Sequence, residues 1–163
     1  MKQPPIPIPQ PARKVHGYKM PETNERLLSW QFVEDEMTSA RYYWIATVNP
    51  TPQPHVVPVW GIWYAGRFHF EGGPATKWMR NIRSNPRITV NLPSEERVVI
   101  LEGNANVLAD DELSAEEWER LDSAFQKKYA VSQGSPYLYV VPRKVIAWNG
   151  ADLQTMTRWI FTE

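Results

Sequence analysis

The sequence predicts a mainly β chain of the α+β class, an antiparallel barrel, closed or split, with helices at its periphery. Three observations carry this. Short runs rich in aromatic and β-branched residues recur along the chain and are closed by Pro, Gly and Asn, as strands and their turns are. Two such runs meet across Ala65-Gly66, a hairpin spacing, so the sheet is antiparallel there. Helical periodicities fall at the start, between strands and late in the chain, an order suited to a barrel with helices outside it.

At 163 residues the chain is expected to form one domain. Residues 1–21 read as a separate Pro-rich arm. Pro at 4, 5, 7, 9 and 11 removes backbone donors at nearly every second residue and favours an extended tail outside the core, mobile or laid over a partner subunit. The domain proper is then 22–163. From Glu25 to Ala40, and most securely from Trp30, Leu27, Trp30, Val33 and Met37 recur at helical spacing with Glu34, Asp35 and Glu36 largely between them. Tyr42 to Val48 is a strand ended by Asn49-Pro50-Thr51-Pro52. His55 to Tyr64 and Arg67 to Glu71 form the hairpin. Gly72-Gly73-Pro74 breaks the sheet, and Ala75 to Ser84 reads as a short helix that must stop before Asn85-Pro86. Arg87 to Leu92 and Arg97 to Leu108 return to strand, with Gly103 a bulge or bend. Ser114 and Glu117 have capping-box spacing ahead of the stripe Trp118, Leu121, Phe125, Tyr129. Tyr137 to Trp148 and Met156 to Phe161 supply the last strands.

Composition excludes several functions. Without cysteine there is no disulfide scaffold, thiolate metal site, iron–sulfur cluster or thiol nucleophile. Eighteen basic residues balance eighteen acidic ones, against the basic excess of a general nucleic-acid binder. No apolar run approaches the roughly 18 residues of a membrane span and no secretion signal opens the chain, so a soluble cytoplasmic protein is expected. His16, His55 and His69 fall in no metal-ligand spacing, no G-x-S-x-G occurs, and the glycines make no dinucleotide fingerprint; no metal is expected.

Two stretches carry chemistry. Gly72-Gly73-Pro74-Ala75-Thr76-Lys77-Trp78-Met79-Arg80 delivers the chain into a helix whose first turn offers free N–H groups and the positive end of the dipole. Thr76 adds a hydroxyl, and Lys77 and Arg80, three apart, share a face and can close on one phosphate; a merely solvated helix fits the same spacing. In His55-Val56-Val57-Pro58-Val59-Trp60-Gly61-Ile62-Trp63, Pro58 removes a ladder donor, which places the strand on an edge or against something other than a neighbour. A flat ligand suits such main chain, with Trp60 or Trp63 as a stacking face; a barrel core or dimer seam uses the same rings.

Tyr43-Trp44-Ile45-Ala46-Thr47-Val48, Pro54-His55-Val56-Val57-Pro58-Val59-Trp60, Thr76-Lys77-Trp78-Met79-Arg80-Asn81-Ile82 with Asn85-Pro86-Arg87, and Thr157-Arg158-Trp159-Ile160-Phe161 together resemble the pyridoxamine 5'-phosphate oxidase-like, FMN-binding split-barrel superfamily. The likeness runs from about Trp30 to Phe161. It implies a six-stranded antiparallel split β-barrel that dimerises, with one flavin per subunit in a groove where the chains meet. By the family pattern Val57, Pro58 and Val59 line the isoalloxazine ring, with Trp60 beside them. Phe70 and Glu71 lie along the ribityl chain. Thr76 and Lys77 match the Ser-Arg of the family's Ser-Arg-Lys phosphate pattern, and Arg80 is a further phosphate ligand. Trp78 stands where that pattern has Lys, so a cation is lost. This departure opens an alternative, the deazaflavin coenzyme F-420, whose acidic tail Lys77, Arg80, Arg83 and Arg87 are suited to hold. The substrate-binding Arg and His of a true pyridoxamine phosphate oxidase are missing near the C-terminus, so that activity is not expected.

The resulting expectation is an FMN-dependent oxidoreductase acting on a small organic substrate, with no side chain assigned as acid or base. Competing readings are a non-catalytic flavin or haem binder and a ligand-free barrel. The eight Trp, seven Tyr and five Phe exceed what one small barrel accommodates; the extra rings fit between barrel and helices or at a subunit seam, and the resemblance implies a homodimer with Trp60, Trp63, Arg158 and Trp159 at the seam or its groove.

Overall fold

A computed structural model describes residues 2–108, 113–132, 134 and 136–162. Among these, nine strands and three helices follow one another as β1 (Gln10–Pro11), α1 (Trp30–Ser39), β2 (Tyr43–Val48), β3 (Pro54–Val59), β4 (Gly61–Tyr64), β5 (Arg67–Glu71), α2 (Lys77–Ser84), β6 (Arg87–Asn91), β7 (Arg97–Val107), α3 (Ala115–Tyr129), β8 (Tyr137–Asn149) and β9 (Asp152–Ile160). The fold class is the expected one, mainly antiparallel sheet with helices outside it. The seven strands read from the sequence become nine because the arm adds β1 and the second expected strand divides into β3 and β4. No helix among the described residues is long and apolar enough to cross a membrane.

The sheet runs β1-β9-β8-β7-β6-β2-β3, with the β4–β5 hairpin attached to β8 through β5. It does not close. The long strand β8 gives its first residues, Tyr137 to Val140, to β5, and its later ones, Lys144 to Asn149, to β9, while β7 follows its opposite edge. Pro142, with no N–H to donate, falls between the two pairings, and there the barrel splits. Gly103 sits opposite Pro142 at a register shift, the bulge its position in the strand suggested. A Cβ at Gly103 would come within 2.2 Å of the Val141 carbonyl oxygen, so the approach of β7 to β8 requires glycine. Gly103→Ala is expected to lower stability by roughly 1–3 kcal/mol through overpacking. Urea unfolding followed by circular dichroism measures this, and an unchanged midpoint would contradict it.

Alternation along the strands turns Tyr43, Ile45, Val90, Val99, Leu101, Val145 and Trp159 inward, where they pack with α1 and α2. A second core lies beneath α3, with Ile62, Leu121, Phe125, Tyr129 and Tyr137. The capping box of α3 is present, with Ser114 Oγ accepting from the Glu117 N–H and the Glu117 carboxylate accepting from the Ser114 N–H. Helix α1 begins at Trp30 rather than Glu25 because the Leu28 N–H donates to Thr157 Oγ1 of β9 (2.8 Å), which ties the preceding residues to the sheet.

The chain leaves strand geometry at Trp60 for a reason supplied by α3. The Gly61 N–H donates to Tyr129 Oη (2.9 Å), and the Gly61 carbonyl accepts from Tyr129 Oη–H (2.7 Å) and Lys128 Nζ (3.1 Å). Both main-chain groups of this residue are thus taken by helix side chains. The arm stays outside both cores but lies along the sheet of its own subunit. Gln10 and Pro11 pair with Arg158 and Thr157, the Ala12 N–H donates to the Met156 carbonyl (3.1 Å), and Arg67 donates to the Lys2 carbonyl (2.8 Å). The prolines keep the segment extended, and its carbonyls still accept from its own subunit.

Candidate cofactor site

The turn after β5 and the start of α2 are built as the glycines suggest. The Thr76 N–H donates to the Gly73 carbonyl (3.0 Å), and Thr76 caps α2, its Oγ1 accepting from the Met79 N–H. The first intrahelical bond is Arg80 N–H to Thr76 carbonyl, so the N–H groups of Lys77 and Trp78 lie ahead of it and the Thr76 hydroxyl hydrogen remains to donate. Lys77 is exposed, and Arg80 folds its guanidinium back onto the Ala75 carbonyl at the same end of the helix. The two glycines differ. A Cβ on Gly72 would strike the Trp78 ring at 2.3 Å, whereas at Gly73 the nearest atom is 3.7 Å away. Gly72 is required by packing, while a Cβ at Gly73 would make only ordinary contact with the Thr76 methyl. The structure brings Thr76, Lys77 and Arg80 together at the first turn of α2.

Trp78 does not belong to this cluster. Its ring turns into the core, 7 % exposed, tilted on Phe70 with centroids 5.4 Å apart. The expected vacancy left by a missing cation is therefore not at the helix start; this position faces inward. Phe70 is fully buried and stacked on Phe68, so its side chain is closed to a ligand. Glu71 is half-buried with one carboxylate oxygen buried and unpartnered; burial, with the charge of Asp122, raises its pKa. Trp159 is fully buried against Trp30. Trp63 is buried too, and the Trp30 and Trp63 indoles both donate to the Glu34 carboxylate at 2.6 Å. Trp63 and Trp159 thus serve the core of their own subunit rather than a seam. Arg158 is half-buried on β9 opposite Gln10 of the arm, its Nε buried without a partner.

The β3 segment has the edge position that Pro58 required, since β3 pairs with β2 alone among the described strands. Val57 and Val59 are half-buried and packed on the core, and Pro58 is exposed. Pro58, Val59, Trp60 and Tyr42 line an open groove of about 610 Å³. Trp60 is 52 % exposed and stacks on Tyr129, with ring centroids 4.9 Å apart and planes within 9°. Behind this pair Lys128 Nζ donates to Tyr43 Oη (2.8 Å) and to the Gly61 carbonyl, and burial pushes its pKa down to about 8. Tyr42, Lys128 and Tyr129 were not singled out as site residues. The apolar stripe of α3 marked Tyr129 as inward-facing, but nothing local connects it to a residue 68 positions earlier.

The family model described as pyridoxamine 5'-phosphate oxidase matches residues 30–150. No curated protein matches the sequence. Among solved structures, a conserved hypothetical protein from Mycobacterium tuberculosis superposes with a TM-score of 0.62 at 21 % identity, over 78 % of this chain and 88 % of that one. A FAD-binding protein from Mesorhizobium loti gives 0.60 at 18 % identity, over 83 % and 96 %. An F-420 reductase gives 0.53 at 20 % identity, over 69 % and 94 %. At these identities the likeness is one of fold.

Proposed function

Because the chain belongs to the pyridoxamine 5'-phosphate oxidase family, within its split-barrel flavin- and deazaflavin-binding superfamily, we propose that it is a cytoplasmic FMN-dependent oxidoreductase acting on a small organic substrate. The observation that carries this is the grouping of Thr76, Lys77 and Arg80 at the first turn of α2, with both cations exposed. Free N–H groups, a hydroxyl and two cations are the donor set for a phosphate monoester. The Tyr42–Trp60 groove offers an apolar, aromatic wall for a flat ring, and the β3 edge offers unpaired main chain. Bound there, the flavin supplies hydride chemistry; the protein binds and orients it. Coenzyme F-420 is the second reading, supported by the likeness of fold to an F-420 reductase.

We further propose a homodimer. At one end of the outer face of the sheet, alternating with buried neighbours, Trp44, Ile100, Ile146 and Trp148 are half-buried and belong to neither core. A second copy covers such a face most simply. Sedimentation of the purified chain at micromolar concentration, with absorbance detection, tests both statements. A two-chain species carrying a flavin spectrum is expected, and mass spectrometry of the released ligand separates FMN from deazaflavin. A colourless protein that takes up neither would overturn the cofactor reading, and a coloured monomer would overturn the dimer.

A further inference from the structure

The basic residues after the helix start do not form one row. Arg87 opens β6, beyond the end of α2, and lines a separate cleft of about 570 Å³ across β2, β6, β7, β8 and the end of β9. Three cations face this cleft, Arg87, Arg143 and Lys144. Lys144 is paired with Glu102 of β7 at 2.6 Å. Arg87 and Arg143 are exposed and have no ion-pair partner among the described residues. Beside Arg143 the lining turns apolar at Ile160, 38 % exposed, and at the half-buried Phe161, whose ring packs on Trp30 with centroids 5.6 Å apart. Backbone holds the two kinds of wall together, because the Phe161 N–H donates to the Arg143 carbonyl at 2.9 Å.

The volume is that of a small-molecule site, roughly 300–1,000 Å³, and exceeds what a bare anion fills. Two guanidinium groups left without carboxylates suit a phosphate, which accepts their planar donor forks. The exposed Ile160 side chain beside them suits the face of a flat base. We propose that this cleft binds an organic phosphate of mononucleotide size, held through its phosphate by Arg87 and Arg143 with its ring system against Ile160. Such a group has two sources, a free nucleotide or the adenylate end of a dinucleotide. Neither depends on the helix-start site.

Calorimetric titration of AMP into the full-length protein, with adenosine alongside, tests this. Saturable AMP binding tighter than that of adenosine is expected, weakened at least about tenfold in the Arg87→Gln/Arg143→Gln double variant. Loss of AMP binding in Lys77→Ala/Arg80→Ala rather than in the Arg87/Arg143 variant would place AMP at the helix start and overturn the proposal. No saturation by AMP, equal affinity for adenosine, or equal affinity in the Arg87/Arg143 variant would overturn the proposal. FAD and FMN titrations then identify the source. A FAD advantage abolished by the Arg87/Arg143 changes means a dinucleotide, and equal FAD and FMN affinities with AMP still bound mean a free nucleotide; either upholds the cleft. Failure of FMN to bind would remove the flavin reading without touching the AMP result.

Discussion

Replacing Trp78 with Lys is expected to destabilise the protein by several kcal/mol rather than improve a phosphate site. The indole is 7 % exposed, lies against Phe70 and fills the space that Gly72 leaves by having no side chain. Truncating a buried aromatic of this size to Ala costs roughly 3–5 kcal/mol, from lost burial plus the cavity. Lys adds to that the cost of placing an ammonium, or an amine forced neutral, among apolar rings. Against a total stability of about 5–15 kcal/mol this is a large share. Urea unfolding of Trp78→Ala, Trp78→Lys and the milder Trp78→Phe measures it, with the order Phe, Ala, Lys expected for increasing loss. A Trp78→Lys protein with an unchanged midpoint and tighter FMN binding would return this position to the phosphate site.

The second large effect is on binding with stability intact. Lys77 and Arg80 are exposed, so truncating them removes no packing. Each charge-assisted hydrogen bond to a phosphate is worth roughly 1.5–3 kcal/mol, so Lys77→Ala and Arg80→Ala are each expected to weaken FMN by about tenfold to a hundredfold. The double variant is expected to lose more than either alone. Fluorescence titration of FMN into ligand-stripped protein gives the affinities, and the unfolding midpoints should match the parent. If both single variants keep the parent affinity, the phosphate sits elsewhere.

The sequence was most readable where the cause of structure is local. The capping box at Ser114 and Glu117, the Ala65-Gly66 turn, the bulge at Gly103 and the edge position implied by Pro58 each depend on a few adjacent residues and on backbone chemistry. What stayed hidden is set across long separations. The break at Trp60 needs Tyr129, and the course of the arm needs the edge of β9 and Arg67. Trp78 is a different case. With Ile82 four residues on, it lies on the buried side of α2, and helical spacing marks that side as inward; the family's Lys at this position drew the reading toward a ligand. Lys77 and Arg80, three apart, are both exposed, as their helical spacing predicts without the structure.

The paired arm also determines how the sheet ends. A strand with one free side is a template onto which another molecule's strand can add, the first step of edge-to-edge aggregation. This sheet has three ends, and each is blunted differently. The β9 side is occupied by β1, whose surroundings carry Pro9 and Pro11 and so lack donors for a further strand. The β3 side carries Pro54 and Pro58. The short β4 lies in contact with α1 and α3. Deleting the arm would uncover β9 while leaving the barrel's interior untouched, so the arm closes the edge at which another strand would otherwise add.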